Sequence, residues 1–136
     1  MNYEQARRVV LKSAGAKLSN LDRAKLKRYI NPKLGLATNT MEDLRVWMKK
    51  GQMPQAGMLT GAFNALDNVT DFLGKPYYGT PLMKEVVEAK KYIWTILNVL
   101  SRARTDKRMH RVMYSASRKA SSHIFRAMRI LGWILP

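Results

Sequence analysis

The feature that most constrains the fold is the spacing of apolar residues near the C-terminus, which repeats every three to four positions from about residue 106 to 132. At 100° per residue these side chains fall on one side of a helix. They are Met109, Val112, Met113, Ala116, Ala120, Ile124, Met128 and Leu131. A strand would instead alternate apolar and polar residues. This part of the chain is therefore expected to form an amphipathic helix with one packing face.

The other side of this predicted helix carries a dense arc of cations. Its Lys and Arg residues are Lys107, Arg108, Arg111, Arg118, Lys119, Arg126 and Arg129. Side chains three and four positions apart lie about 5–6 Å from each other, which matches a phosphate backbone in reach and spacing. Ser115 and Ser122 share the face and can donate to phosphate oxygens. The Phe125 ring can stack on a base or enter a lipid layer, although packing against a neighbouring side chain is favoured. The arc predicts a polyanion-binding surface, with a merely solvated face as the alternative.

Gly, Pro and Asn divide the rest of the chain into further helical segments, and strand-type alternation is nearly absent. Besides the last helix, helices are expected over residues 2–14, 19–31, 40–51, 54–73 and 82–104, with a loop from Pro32 to Asn39. The predicted class is all-α, with about six helices. We treat residues 1–136 as one helical domain or assembly subunit. Its parts are basic N-terminal helices (1–31), short and central helices (32–73), a Gly/Pro linker (74–81), and a buried helix plus the basic C-terminal helix (82–136).

Charge is distributed unevenly along the chain. The 25 Lys and Arg and 9 Asp and Glu give a net charge of +16 at pH 7. Residues 1–31 hold 8 basic and 2 acidic side chains, residues 32–101 hold 8 and 6, and residues 102–136 hold 9 and 1. The middle is expected to be a small, nearly neutral core. The basic ends are expected to contact the polyanion, with Arg7, Arg8 and Lys12 as the N-terminal candidates.

The sequence provides no recognisable set of catalytic or cofactor-binding side chains. The absence of cysteine excludes disulfides and thiolate chemistry. His110 and His123 are too far apart in sequence for a metal pair on one helical turn, so packing or hydrogen bonding is favoured. Asp67 and Asp71 lie one turn apart and could share a cation, although a solvated helix face is favoured. We expect a protein that is not an enzyme and needs no metal or cofactor.

Two further features suggest contacts with a membrane or with other subunits. Gly57 and Gly61, one turn apart, would let another helix approach closely, although a solvent-facing stripe is favoured. The tail residues Trp133, Ile134 and Leu135 follow a basic amphipathic helix and suit a membrane interface, with docking on the protein's own core as the alternative. No window is apolar enough to span a membrane, and no secretory signal is evident.

In overall character the chain resembles the small internal or ejection proteins of short-tailed bacteriophages. The resemblance lies in a short, basic, cysteine-free helical chain, in the Gly57 and Gly61 pair, and in a basic C-terminal helix that ends in Trp133, Ile134, Leu135 and Pro136. It implies a virion component that is packed with DNA and then forms part of a conduit across the host envelope. Such a protein would act as a homo-oligomer or in a larger virion assembly.

The sequence leaves three functions open. The preferred one is a virion component that contacts the DNA backbone, with an anionic membrane as a further candidate partner. The second is a soluble, cytoplasmic RNA- or DNA-binding accessory protein that tolerates many sequences, for example in a ribonucleoprotein. The third is a protein of the membrane surface alone.

Overall fold

The computed structural model describes residues 20–102 and 107–131, and these residues form four α-helices and no strand. The helices are α1 (Asn20–Lys49), α2 (Ala56–Leu73), α3 (Pro81–Leu100) and α4 (Lys107–Ile130), with a short 3-10 helix (Lys75–Tyr77) between α2 and α3. The predicted all-α class is confirmed, whereas the predicted number of about six helices is wrong. The helix expected over residues 2–14 lies outside the described residues.

The main difference from expectation is that α1 continues through Pro32 and Gly35, where we predicted a helix end and a loop. A stripe of buried apolar residues runs along this helix. It comprises Leu26, Ile30, Leu34, Ala37, Met41, Leu44 and Met48. Burying one large apolar side chain contributes about 1.5–3 kcal/mol, so the stripe outweighs the roughly 3 kcal/mol cost of an interior proline. Thr40 caps no new helix, because its hydroxyl donates to the carbonyl of Leu36 at 2.8 Å.

The four helices pack in a ring, in which α1 contacts α2, α2 contacts α3, α3 contacts α4 and α4 contacts α1. The diagonal pairs, α1 with α3 and α2 with α4, have at most marginal contact. One apolar core lies between them, and Phe72, Ile93, Ile96 and Met113 are among its fully buried side chains. The basic helix α4 is therefore one side of the core, which corrects the expectation of a central unit with basic helices outside it.

The Gly/Pro segment of residues 74–81 turns the chain between α2 and α3. Gly74 and Gly79 have φ angles of 64° and 82°, a left-handed conformation that glycine adopts without steric cost. The hydroxyl of Thr80 accepts a hydrogen bond from the backbone N–H of Met83, and Pro81 occupies the first turn of α3. Across the two described ranges, no helix has the length and apolar character that a membrane span requires.

Candidate nucleic-acid interface

The seven basic residues of α4, here called the cationic face, lie on the outside of the bundle. All seven side chains are exposed: Lys107, Arg108, Arg111, Arg118, Lys119, Arg126 and Arg129. Helix α4 contains no Asp or Glu. Among the described residues, no carboxylate lies within 4.0 Å of any of the seven charges. Within residues 20–102 and 107–131, this charge is therefore not neutralised by direct ion pairs.

Most of the other predicted positions on α4 lie where the helical periodicity places them. Met113, Ala116, Ala120, Ile124 and Met128 are buried in the core. On the outer side, Ser115, Ser122 and Phe125 are exposed, with 40% of the Phe125 surface accessible. Val112 is the exception, because we predicted it on the packing side and it is 40% exposed. It lines a groove between α3 and α4 instead of the core.

A groove of about 520 Å³ separates the end of α1 from the first half of α4, and we call it the α1–α4 groove. Its cationic lining consists of Lys49, Arg111, Arg118 and Lys119. It is also lined by Met48, His110, Tyr114 and Ser115, and by no acidic side chain. The Nε2 atom of His110 lies 3.1 Å from the sulfur of Met53, which belongs to the connection between α1 and α2. The groove combines apolar and aromatic surface with positive charge.

A second groove, the α3–α4 groove, lies on the other side of the cationic face. It shares Arg111, Ser115 and Lys119 with the first, so these three residues, spaced four apart, form the ridge between the two grooves. The ring of Tyr92 lines this second groove but already contacts two other side chains. It stacks on the His123 ring at 5.7 Å between centroids, and the Lys119 ammonium lies 5.6 Å from its centroid.

Two polar contacts hold α4 in place. Arg45 of α1 donates through Nη1 to the carbonyl oxygen of Ser117 and to the hydroxyl of Ser121, each at 3.0 Å. His123 pairs through Nδ1 with Oε2 of Glu85 on α3 at 2.6 Å. One contact joins α4 to each of its neighbours in the ring, so the cationic face sits on a helix fixed from both sides.

The predicted subunit and cation sites are not brought together with the cationic face. Gly57 and Gly61 are exposed on α2, and apart from the adjoining part of the same helix no described atom lies within 4 Å of the position that a Cβ would take there. Asp67 pairs with the Lys90 ammonium at 2.7 Å. In residues 20–102 and 107–131, no group of three or more His, Asp or Glu could hold a metal ion.

Several predicted site residues lie outside the described residues, namely Arg7, Arg8, Lys12, Trp133, Ile134 and Leu135. Three residues of the α1–α4 groove were not predicted: Met48, Lys49 and Tyr114. For Tyr114 a signal existed, because at 100° per residue it falls beside Arg118 and Phe125 at the edge of the cationic arc. For Met48 and Lys49 none existed, since only the packing of α1 on α4 places them there.

No family model matches the sequence, and no curated protein or solved structure is significantly similar to it. What the protein binds must therefore be inferred from the charge and shape of its own surface.

Proposed function

We propose that this protein binds nucleic acid through the cationic face of α4, by contacts with the phosphate backbone that depend little on base sequence. It performs no catalysis in this proposal. The observation that carries the proposal is the set of seven exposed Lys and Arg side chains with no carboxylate nearby in the described structure. Lys and Arg that neutralise phosphates release condensed counterions, and this release supplies most of the free energy of such binding.

The length of the cationic face also suits a nucleic-acid backbone. From Lys107 to Arg129 it extends for about 33 Å along the helix axis, at a rise of 1.5 Å per residue. One turn of a DNA duplex is of similar length, about 34 Å. Several phosphates of one backbone can thus lie along α4 at once.

Within this function we propose a virion role, based on the resemblance to internal and ejection proteins of short-tailed bacteriophages. There the cationic face would contact the packaged DNA. Identification of the molecules that co-purify with the native protein tests this role. We expect DNA and virion proteins, whereas RNA and ribonucleoprotein components would favour the accessory role instead.

The first prediction concerns a variant with Arg111, Arg118, Lys119 and Arg126 all replaced by Gln. Gln forms helices about as well as Lys and Arg, so the fold should persist while four of the seven charges are lost. Affinity for a DNA duplex should fall, and the slope of log affinity against log salt should decrease by about 3 to 4. Titrations of unrelated duplexes at several salt concentrations measure both quantities, and circular dichroism checks the helix content.

A matched control removes four exposed cations elsewhere, by replacing Arg28, Lys75, Lys84 and Lys91 with Gln. It changes the net charge equally but should reduce the slope by much less. Equal losses in the two variants would mean that only total charge matters, and the assignment to α4 would be wrong. Anionic vesicles titrated in parallel separate nucleic-acid binding from attraction to any negative surface.

A further inference from the structure

We infer that the α1–α4 groove holds a single-stranded segment of the nucleic acid, with a base stacked on the Tyr114 ring and phosphates at Lys49, Arg111 and Arg118. This inference rests on the proposed function and adds the form of nucleic acid that the site prefers. It follows from the kinds of side chain that meet in the groove, from an aromatic ring on which no other ring or cation stacks, and from the alignment of aromatic and basic residues along α4.

The groove contains apolar and aromatic side chains, which a site for phosphate alone does not need. A duplex presents its phosphates on the outside and buries the faces of its bases. It can therefore contact only the exposed cations of the groove. Met48 and the half-buried Tyr114 instead provide apolar and aromatic surface between those cations. The volume of this open groove, about 520 Å³, lies within the size range of sites for small organic ligands. An unpaired base with its sugar is a ligand of this kind.

Tyr114 is the aromatic residue of the α1–α4 groove, where its half-buried ring packs partly against the core. The Tyr92 ring on the other side of the ridge already contacts His123 and Lys119. No ring and no cation stacks on Tyr114 in the part of the chain that the structure describes. Stacking of a base on such a ring is worth about 1–3 kcal/mol and tolerates every base.

The edge of α4 that brings Tyr114 and Arg118 into this groove continues to a second aromatic residue, Phe125, beyond the groove lining. At 100° per residue Tyr114, Arg118 and Phe125 fall within about 40° of one another. Tyr114 and Phe125 are about 16 Å apart along the helix axis, and Phe125 is 40% exposed. A strand that follows this edge meets a ring, a guanidinium group and a second ring in turn. Aromatic platforms along a positive groove are characteristic of proteins that bind single strands without sequence preference.

The test compares a labelled oligothymidine with a duplex of equal length, by fluorescence anisotropy at one salt concentration. Tyr114→Leu keeps apolar bulk but removes the ring, and Tyr114→Phe retains it. Loss of one stacked base should weaken single-strand binding by Tyr114→Leu roughly 5- to 150-fold. Duplex binding should change less than about twofold, since its contacts are with phosphates. Tyr114→Phe should bind both ligands as the parent does.

The outcomes separate the inference from the function on which it rests. If Tyr114→Leu binds the single strand as tightly as the parent, or loses both ligands equally while folded, the groove holds no base and the inference fails although the protein still binds nucleic acid. If the parent binds neither ligand, the proposed function fails with it. Inorganic polyphosphate that competes as strongly as oligothymidine would likewise show that charge alone is recognised.

A second measurement applies even if Tyr114→Leu does not fold. The parent protein is irradiated with an oligonucleotide that contains 4-thiothymidine, and the cross-linked peptides are identified by mass spectrometry. Cross-links at Tyr114, Met48 or Phe125 support the inference. Cross-links confined to positions outside the α1–α4 groove and the Phe125 edge overturn it.

Discussion

Arg45 joins the two helices on either side of the α1–α4 groove. Its guanidinium group donates to the Ser117 carbonyl and to the Ser121 hydroxyl, and both serines are buried. The Ser117 hydroxyl has a partner of its own, because it donates to the carbonyl of Tyr114 at 2.7 Å. Hydrogen bonds from a charged donor contribute about 1.5–3 kcal/mol. Arg45 thus fixes the position of Met48 and Lys49, one turn further along α1, against α4.

The second prediction is a double-mutant cycle with Arg45→Met and Ser121→Ala. Arg45→Met should lower the free energy of unfolding by about 1.5–3 kcal/mol, and Ser121→Ala by about 1 kcal/mol. The double variant should lose less than the sum, with a coupling energy of at least about 0.5 kcal/mol. Urea unfolding measures all four proteins. Arg28→Met, at an exposed position, is the control and should change stability by less than about 0.5 kcal/mol.

Additive losses in this cycle would mean that Arg45 and Ser121 contribute independently. The hydrogen bond between them would then play no part in fixing α1 against α4.

Residue-level prediction from sequence succeeds where a residue's role depends on its own helix. The seven cations, Ser115 and Ser122 are exposed as the periodicity of α4 predicts. Ser117 and Ser121 were not singled out, although they lie four apart beside the buried residues Ala116 and Ala120. Their role depends on Arg45, more than 70 positions earlier. Periodicity within one helix carries no information about which residue of another helix it will meet.

At the scale of helices, the sequence predicts α2, α3 and α4 to within a few residues but wrongly divides α1. The expected helix over residues 54–73 is Ala56–Leu73, and the last helix, expected over 106–132, is Lys107–Ile130. For these helices, the Gly, Pro and capping residues and the spacing of apolar residues indicate the same helix ends. In α1 they conflict, because Pro32 and Gly35 favour a break while the apolar stripe continues. The burial energy that resolves the conflict comes from α2 and α4, which the local sequence does not describe.

The third prediction is that Pro32→Ala stabilises the protein. Pro32 is exposed in the interior of α1 and has no N–H to donate to the carbonyl of Arg28 four residues earlier. Alanine restores that donor and removes the ring, although it also gives the unfolded chain more freedom. The free energy of unfolding should rise by about 1–3 kcal/mol. Urea unfolding monitored by circular dichroism measures the change.

Pro81→Ala provides the matched control, because Pro81 is also exposed but stands in the first turn of α3. A proline there breaks no helical hydrogen bond, so its replacement should give no gain. A loss of stability in Pro32→Ala would show that α1 requires the geometry that the proline ring imposes.

At the scale of the whole molecule, the most basic of the described helices and the acidic one lie on opposite sides of the bundle. Helix α4 carries seven cations and no carboxylate, whereas α2 has two Asp and neither Lys nor Arg. The two helices lie diagonally opposite in the ring. Such a distribution orients the molecule in the field of a polyanion before contact, which raises the association rate at low salt. Neither helix alone reveals this arrangement, because it depends on the order of packing.

The fourth prediction is that bound DNA protects only the lysines on one side of the molecule from acylation. When DNA is bound, Lys49, Lys107 and Lys119 should react more slowly, since they lie on the cationic face or in the α1–α4 groove. Lys75 and Lys84 are exposed away from that surface and should react at unchanged rates. Mass spectrometry of the acylated peptides, with and without DNA, gives the rates. Uniform protection of all five lysines would contradict a single binding side.

The diagonal placement of α2 and α4 also bears on how many strands one molecule could hold. Helix α2 has no Lys or Arg of its own, so a nucleic acid held at the cationic face would leave the diagonally opposite helix without a cation for a second strand. Copies bound through α4 would cover one strand and turn helix α2, with its two Asp residues, outward. The coated polymer would then repel neighbouring strands less strongly without being tied to them, so that many lengths could lie close together and still slide past one another.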